Sequence, residues 1–216
     1  MVTRILDILQ QNKSLIESYT YFLVFTAVVL FAFAKAYSTF KVYADKINML
    51  SIFFKEKRIK ELLKKYNSKL LGDRLMLFRF HDGEKGINSI HFLKVSATNE
   101  VVREGVRMIG SYYKALFIGN YPEWFEKIIE GEEILYKDVK KEVTDESAKN
   151  FIKYMGAYSI IELPLVINGA VIGYISLQFC RPIDTEKTNN NYNVFNKATK
   201  ELYELKGILE ILLRDV

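Results

Sequence analysis

The 216-residue chain has one cysteine, three prolines, two histidines and one tryptophan, and each scarcity closes a class of explanation. Cys180 alone cannot form an intrachain disulfide, so no disulfide framework is available. A lone cysteine that ends an apolar strand reads as a small buried hydrophobe. Two histidines with one thiol fall short of a zinc-ligand spacing. There is no glycine-rich phosphate loop, no nucleophile elbow and no His-Glu-x-x-His. The expectation is therefore a protein that is not an enzyme and carries no metal or cofactor. His81 and Asp82 together resemble a general-base pair, but neighbours on a strand point to opposite faces, and Asp82-Gly83 reads as a turn. His91 can approach His81 across a hairpin, yet two imidazoles without a third ligand make a poor metal site.

Positive charge is plentiful in one place only. The formal charge is +5, but residues 35–69 hold ten basic and three acidic groups while the remainder is close to balance. The basicity is thus local, and with no RNA-binding signature beside it nucleic acid is not an expected partner.

Ser18 to Ala34 has no charged residue. The span opens with Tyr21, Phe22, Leu23, Val24 and Phe25, passes through Thr26, and continues with Ala27, Val28, Val29, Leu30, Phe31, Ala32, Phe33 and Ala34. If Lys35 snorkels, the run reaches Phe40, about 23 residues or roughly 34 Å of helix, enough to cross a bilayer with some tilt. Tyr19, Tyr21, Tyr37 and Tyr43 lie where an aromatic belt would be. Ala32-Phe33-Ala34 has the form of a signal-peptide cleavage site, but the apolar run is longer than an h-region and Asp7 and Glu17 precede it. An uncleaved anchor over residues 18–40 is the reading. Residues 1–17 form a short tail, either a frayed terminus or an amphipathic helix on the bilayer surface. Ala32 and Ala36 make one small-xxx-small pair for helix contact.

Residues 41–71 predict a basic amphipathic helix that continues from the membrane. Ile52, Ile59 and Tyr66 recur every seven residues, with Leu62, Leu63 and Leu70 in adjacent turns. That face suits either a self-association seam or packing on the following domain.

Residues 72–216 read as an α/β (α+β) unit with a central antiparallel sheet and flanking helices. Leu75 to Phe80 forms one strand, turning at Asp82-Gly83, and Ile90 to Ser96 a second. A helix is expected from Thr98 or Asn99 through Val101, Val102, Val106, Ile109 and Tyr113. Tyr121-Pro122 marks a turn into a short helix anchored by Trp124 and Phe125, and Asp145 begins another helix ending near Tyr154. Ser159 to Phe179 predicts two strands around Asn168-Gly169, a strong hairpin signal. A loop over Arg181–Asn191 leads to a last helix, Asn193–Arg214, with Leu202, Leu205, Ile208, Leu209 and Leu212 on one face. Glu162 within the strand and Glu100 either face a pocket or sit at a sheet edge or in solvent, the second being the cheaper explanation.

The Gly156–Phe179 hairpin, GAYSIIELPLVINGAVIGYISLQF, resembles that of a GAF domain, the small fold related to PAS, over roughly Leu63 to Val216. The resemblance implies a ligand pocket beside the sheet, for which no ligand-specific motif stands out. The whole order of elements, with the GNYPEW turn from Gly119 to Trp124 and the later Gly131 and Tyr136, is similar to the holin family of the T-even bacteriophages. That likeness implies a viral single-pass protein that accumulates in the host inner membrane and oligomerises into lesions releasing endolysin, so timing lysis. It also implies a periplasmic domain that receives an antiholin, and it makes Tyr121, Pro122 and Trp124 a candidate partner-binding turn. The basic juxtamembrane segment points the other way, to a cytoplasmic domain. The alternative is a membrane-anchored cytoplasmic GAF-like sensor or scaffold that binds a small ligand or protein partner. Membrane lipid and further copies of the chain are the other expected partners.

After gentle cell breakage the intact chain should sediment with membranes and need detergent for release. Recovery of uncleaved polypeptide in the aqueous fraction would overturn the anchor.

Overall fold

The computed structural model describes residues 10, 12–85, 91–182 and 189–214. The chain divides into two compact units, residues 1–54 and 55–216. Most of the expected N-terminal tail lies outside the described residues. Helix α1 runs without a break through Lys13–Lys69.

Within the first unit most of the described side chains of α1 are exposed, Phe22, Phe25, Leu30 and Phe33 among them, with Thr26 and Val29 partly buried. Three of its hydroxyls bond back to the helix. Thr26 Oγ1 donates to the Phe22 carbonyl at 2.8 Å, and Ser38 and Thr39 both donate to the Lys35 carbonyl. For these three hydroxyls the back-bond supplies a partner within the helix itself. By length and composition this is the one helix among the described residues able to cross a membrane. Ala32 and Ala36 lie one turn apart on it, both exposed.

In the second unit the last turns of α1 bury Ile59, Leu63, Tyr66 and Leu70. Their spacings of four, three and four residues put them on one helical stripe, so this part of the seam packs on its own unit. Glu56 adds an ion pair to Arg79 at 2.8 Å. The helix stops where Leu71 adopts φ 56°, the left-handed conformation common at helix ends.

Six antiparallel strands follow in spatial order β3-β2-β1-β6-β5-β4. They are β1 (Arg74–Lys85), β2 (His91–Val102), β3 (Leu116–Phe117), β4 (Ile134–Tyr136), β5 (Ser159–Ile167) and β6 (Ala170–Phe179). Asn168 at φ 52° and Gly169 at φ 81° close the β5–β6 hairpin, both in the positive-φ conformation that a two-residue turn of this hand requires. One sheet face meets α1 and the final helix α5 (Asn189–Arg214) through Leu75, Leu163, Ile175, Leu177, Leu202, Leu205 and Leu209. The other is covered by α2 (Pro122–Ile129), α3 (Val139–Glu142) and α4 (Glu146–Tyr154). Asp145 caps α4, accepting from the Ala148 amide at 2.9 Å. The result is three layers, as expected.

Two local expectations are corrected. No helix spans Thr98 to Tyr113: β2 continues through Val102, with Glu100, Val101 and Val102 opposite Met76, Leu75 and Arg74. Two adjacent valines favour a strand, and a helix there would leave β1 unpaired on that side. Only a short 3-10 turn, Gly110–Tyr113, remains of it. The turn at Asp82-Gly83 is also absent, because β1 runs on to Lys85 with an irregular register between Asp82 and Lys85. The connection lies outside the described residues.

Gly173 sits on β6 opposite Arg79, where a Cβ would come 2.0 Å from the Phe78 carbonyl oxygen. Gly173→Ala should destabilise the fold by about 2–3 kcal/mol, the upper range for overpacking. Gly207→Ala, on a helical position of α5 with open space around the new methyl, should stabilise by about 0.5–1 kcal/mol. Chemical denaturation of the two variants measures both signs.

Candidate functional site

Both faces of β5 are buried, so every charged residue on it must be explained. Glu162 is the only ionisable group in that strand and is 4% exposed. It shares a face with Ile160 and lies opposite Ser176 on β6 and Ile134 on β4. Its two oxygens are separately bonded. Trp124 Nε1 donates to Oε2 at 3.1 Å, and Ser176 Oγ bonds Oε1 at 3.0 Å. Burial pushes this carboxyl up to about 8, with the two hydrogen bonds opposing the shift only in part. At neutral pH it is therefore mostly a protonated acid.

Around it the chain has assembled a box of rings. Phe78 stacks on Tyr174 at 4.4 Å between centroids with an 8° interplanar angle. Tyr113 meets Phe78 edge-on at 5.0 Å and Phe151 edge-on at 5.2 Å. Tyr121 lies over Phe151 at 5.2 Å, and Trp124 against Tyr136 at 5.7 Å. Burial and the Glu162 charge raise the Tyr113 and Tyr174 hydroxyls far above the ordinary phenol range. The cavity left among Tyr113, Tyr121, Trp124, Phe151, Glu162 and Tyr174 is about 30 Å³. That is about the liquid volume of one water, whereas a preformed small-molecule pocket runs roughly 300–1,000 Å³.

The candidate partner-binding turn is thus part of this interior. Pro122 is exposed at the first position of α2, Tyr121 is half-buried at the rim, and Trp124 points inward and is 7% exposed. Of the two glutamates, neither takes the cheaper edge or solvent position. Glu100 lies on the same sheet face as Met76 and accepts from the backbone amides of Ile109 and Gly110, each at 2.8 Å. Beside it Arg74, fully buried, donates from Nη1 to Gln178 Oε1 at 2.6 Å and from Nη2 to the Arg107 carbonyl at 3.0 Å. Sequence reasoning missed Arg74 and Gln178; the available signal was polar residues at inward positions of strands otherwise apolar on both faces. His81 is exposed, 2.9 Å from Ser96 Oγ, and faces Lys94 across the ladder, while His91 faces Lys85. The register separates the two histidines. Cys180 is partly buried, its amide donating to Asp73 Oδ2 at 2.8 Å.

Between about pH 5 and pH 8 the folded chain keeps a proton on Glu162 that the unfolded chain has lost. Stability should therefore fall as pH rises through this window, by up to about 1.4 kcal/mol per pH unit from this group. Glu162→Gln should remove that slope while keeping the fold, as read from urea midpoints at several pH values.

No protein family matches the chain by sequence, and no curated protein does. Solved structures do. The blue-light absorbing form of the PixJ GAF domain from Thermosynechococcus elongatus aligns over 75% of this chain and 88% of its own, at 16% identity and a TM-score of 0.51. A far-red cyanobacteriochrome photoreceptor aligns over 81% and 94%, at 12% identity and a TM-score of 0.55. These neighbours overturn the resemblance to the T-even holins, and lesion formation, endolysin release and an antiholin partner fall with it. The GNYPEW turn that suggested it serves the pocket wall, where the chain enters α2 over the sheet. At such identities the likeness bears on architecture alone: the six-stranded antiparallel sheet with its flanking helices is GAF-like.

Proposed function

We propose that the chain is a GAF-like sensor, anchored in a membrane by residues 18–40, whose soluble unit takes a small ligand into the aromatic box over Glu162. The positive-inside tendency assigns that unit to the cytoplasm. The observation that carries the reading is a carboxyl group poised near neutrality at the bottom of a box of aromatic faces. A compact ligand with a basic nitrogen matches both features. It would draw the proton from Glu162, form an ion pair at low dielectric, and rest its cationic end against the rings. The cavity's small volume makes this the closed form. Entry requires the half-buried rim residues Tyr121 and Phe151 to turn outward, and a large rigid chromophore has no room. The reading assigns the protein a binding event and no catalytic step.

Trp124 is the single tryptophan, so its emission reports on this pocket alone. In a panel of small amines and nitrogen heterocycles, at least one should shift that emission saturably, and Glu162→Gln should weaken its binding at least tenfold. A native mass spectrum of the detergent-released chain showing no adduct, together with no response across the panel, would reject ligand sensing and leave a scaffold with a permanently filled core.

A further inference from the structure

A second space in the soluble unit is large, open and charged. It is a cleft of about 710 Å³ where the start of β1, the turn after β2, the end of α4 and the end of β6 come together. Its charged lining is Arg74, Arg103, Arg107 and Arg181 against Asp73 and Glu104, and Glu100 pairs with the buried Arg74, so positive charge exceeds negative by one.

The arginines are arranged. Asp73, 3% exposed on its side chain, pairs through Oδ1 with Arg181 at 3.1 Å and Arg103 at 3.4 Å, while its Oδ2 is taken by the Cys180 amide. One carboxylate thus orients two guanidinium groups and neutralises one. Arg103 and Arg181 remain 41% and 67% exposed, each with most of its five donors uncommitted to Asp73. Arg74 is buried beneath them. Its terminal nitrogens are bonded, but Nε lies 3.5 Å from Glu100 and is without a hydrogen-bond partner. Arg107 lies over the Tyr112 ring at 5.4 Å, and Tyr112, outside the lining, meets Tyr154 edge-on at 6.4 Å, so Tyr154 is the aromatic side chain that the cleft presents. Gly105, at φ 80°, forms the turn without adding side-chain bulk.

From this geometry we propose that the cleft binds a small molecule bearing a phosphate group, with Arg103 and Arg181 clasping the phosphate and Tyr154 supporting the organic part. Two forked guanidinium groups held by a common carboxylate match the oxygens of a phosphate, and the net positive charge of the cleft favours an anion. The volume lies within the range of pockets for organic ligands. The site is separate from the aromatic box, so either proposal can fail without the other. A phosphate could come from a soluble metabolite with a terminal phosphate, which carries up to two charges, or from the linking phosphate of a lipid headgroup, a diester that carries one.

Full-length chain in detergent is titrated calorimetrically with pyrophosphate, inorganic phosphate and glycerophosphoglycerol, a soluble diester headgroup. Saturable binding of at least one is expected, weakening with added salt. It should fall at least tenfold in the Arg103→Gln/Arg181→Gln variant, measured well below that variant's own melting temperature, since the buried Asp73 loses both counter-charges. Preference for pyrophosphate or phosphate assigns a soluble ligand; equal or better binding of the diester assigns a headgroup. Should the double variant fail to fold, Arg181→Gln alone, at the more exposed position, must weaken binding at least threefold. No saturable binding by the folded wild-type chain, or binding indifferent to these substitutions, would overturn the proposal.

Discussion

The β5–β6 hairpin is buried on both faces, and this constraint orders most of what surrounds it. Asn168 and Gly169 set its register, and because side chains alternate with a period of two, that register decides which core each residue enters. Ile161, Leu163, Ile175 and Leu177 go to the face under α1 and α5. Ile160, Glu162, Tyr174, Ser176 and Gln178 go to the other. A slip of one residue would exchange the two sets and send Glu162 into a core of leucines, where the chain offers it no partner. Covering both faces also requires helices on both sides, which is why the layers follow from the hairpin.

The consequence for the site is dielectric. A carboxyl in water would remain ionised at neutral pH, but beneath Trp124 and between the rings of Tyr113 and Tyr174 its charged form loses solvation that two hydrogen bonds only partly restore. The GAF architecture is shared with photoreceptor domains, yet its interior is set by side chains, and here these are six-membered and indole rings closing on about 30 Å³.

Polar groups on the same sheet face extend away from Glu162 in a row. Gln178 borders the aromatic box and accepts from Arg74, whose other nitrogen reaches the backbone of Arg107 at the arginine-lined cleft. Buried side chains that would each be costly alone bond to one another, all but Arg74 Nε, and Glu100 extends the set by holding the Ile109 and Gly110 amides. This pins the turn after β2 to the sheet.

Several features were legible in residue order alone. The uncharged run from Ser18 to Ala34, the hairpin at Asn168-Gly169, the Asp145 cap and the leucine stripe of α5 depend on local periodicity and turn chemistry, which neighbours in sequence carry. The strand through Glu100 to Val102 was misread because its state depends on pairing with β1, some 25 residues earlier, and the Thr-Asn-Glu stretch before it imitates a helix start. Whether Glu162 met water or a pocket could not be known from IIELPL, since both its faces are decided by segments far along the chain. The arginine cleft is more remote still: Asp73, Arg103 and Arg181 acquire a common geometry only when β1, β2 and β6 lie side by side. Local chemistry chose the elements; burial, a property of the assembled whole, chose which polar groups became sites.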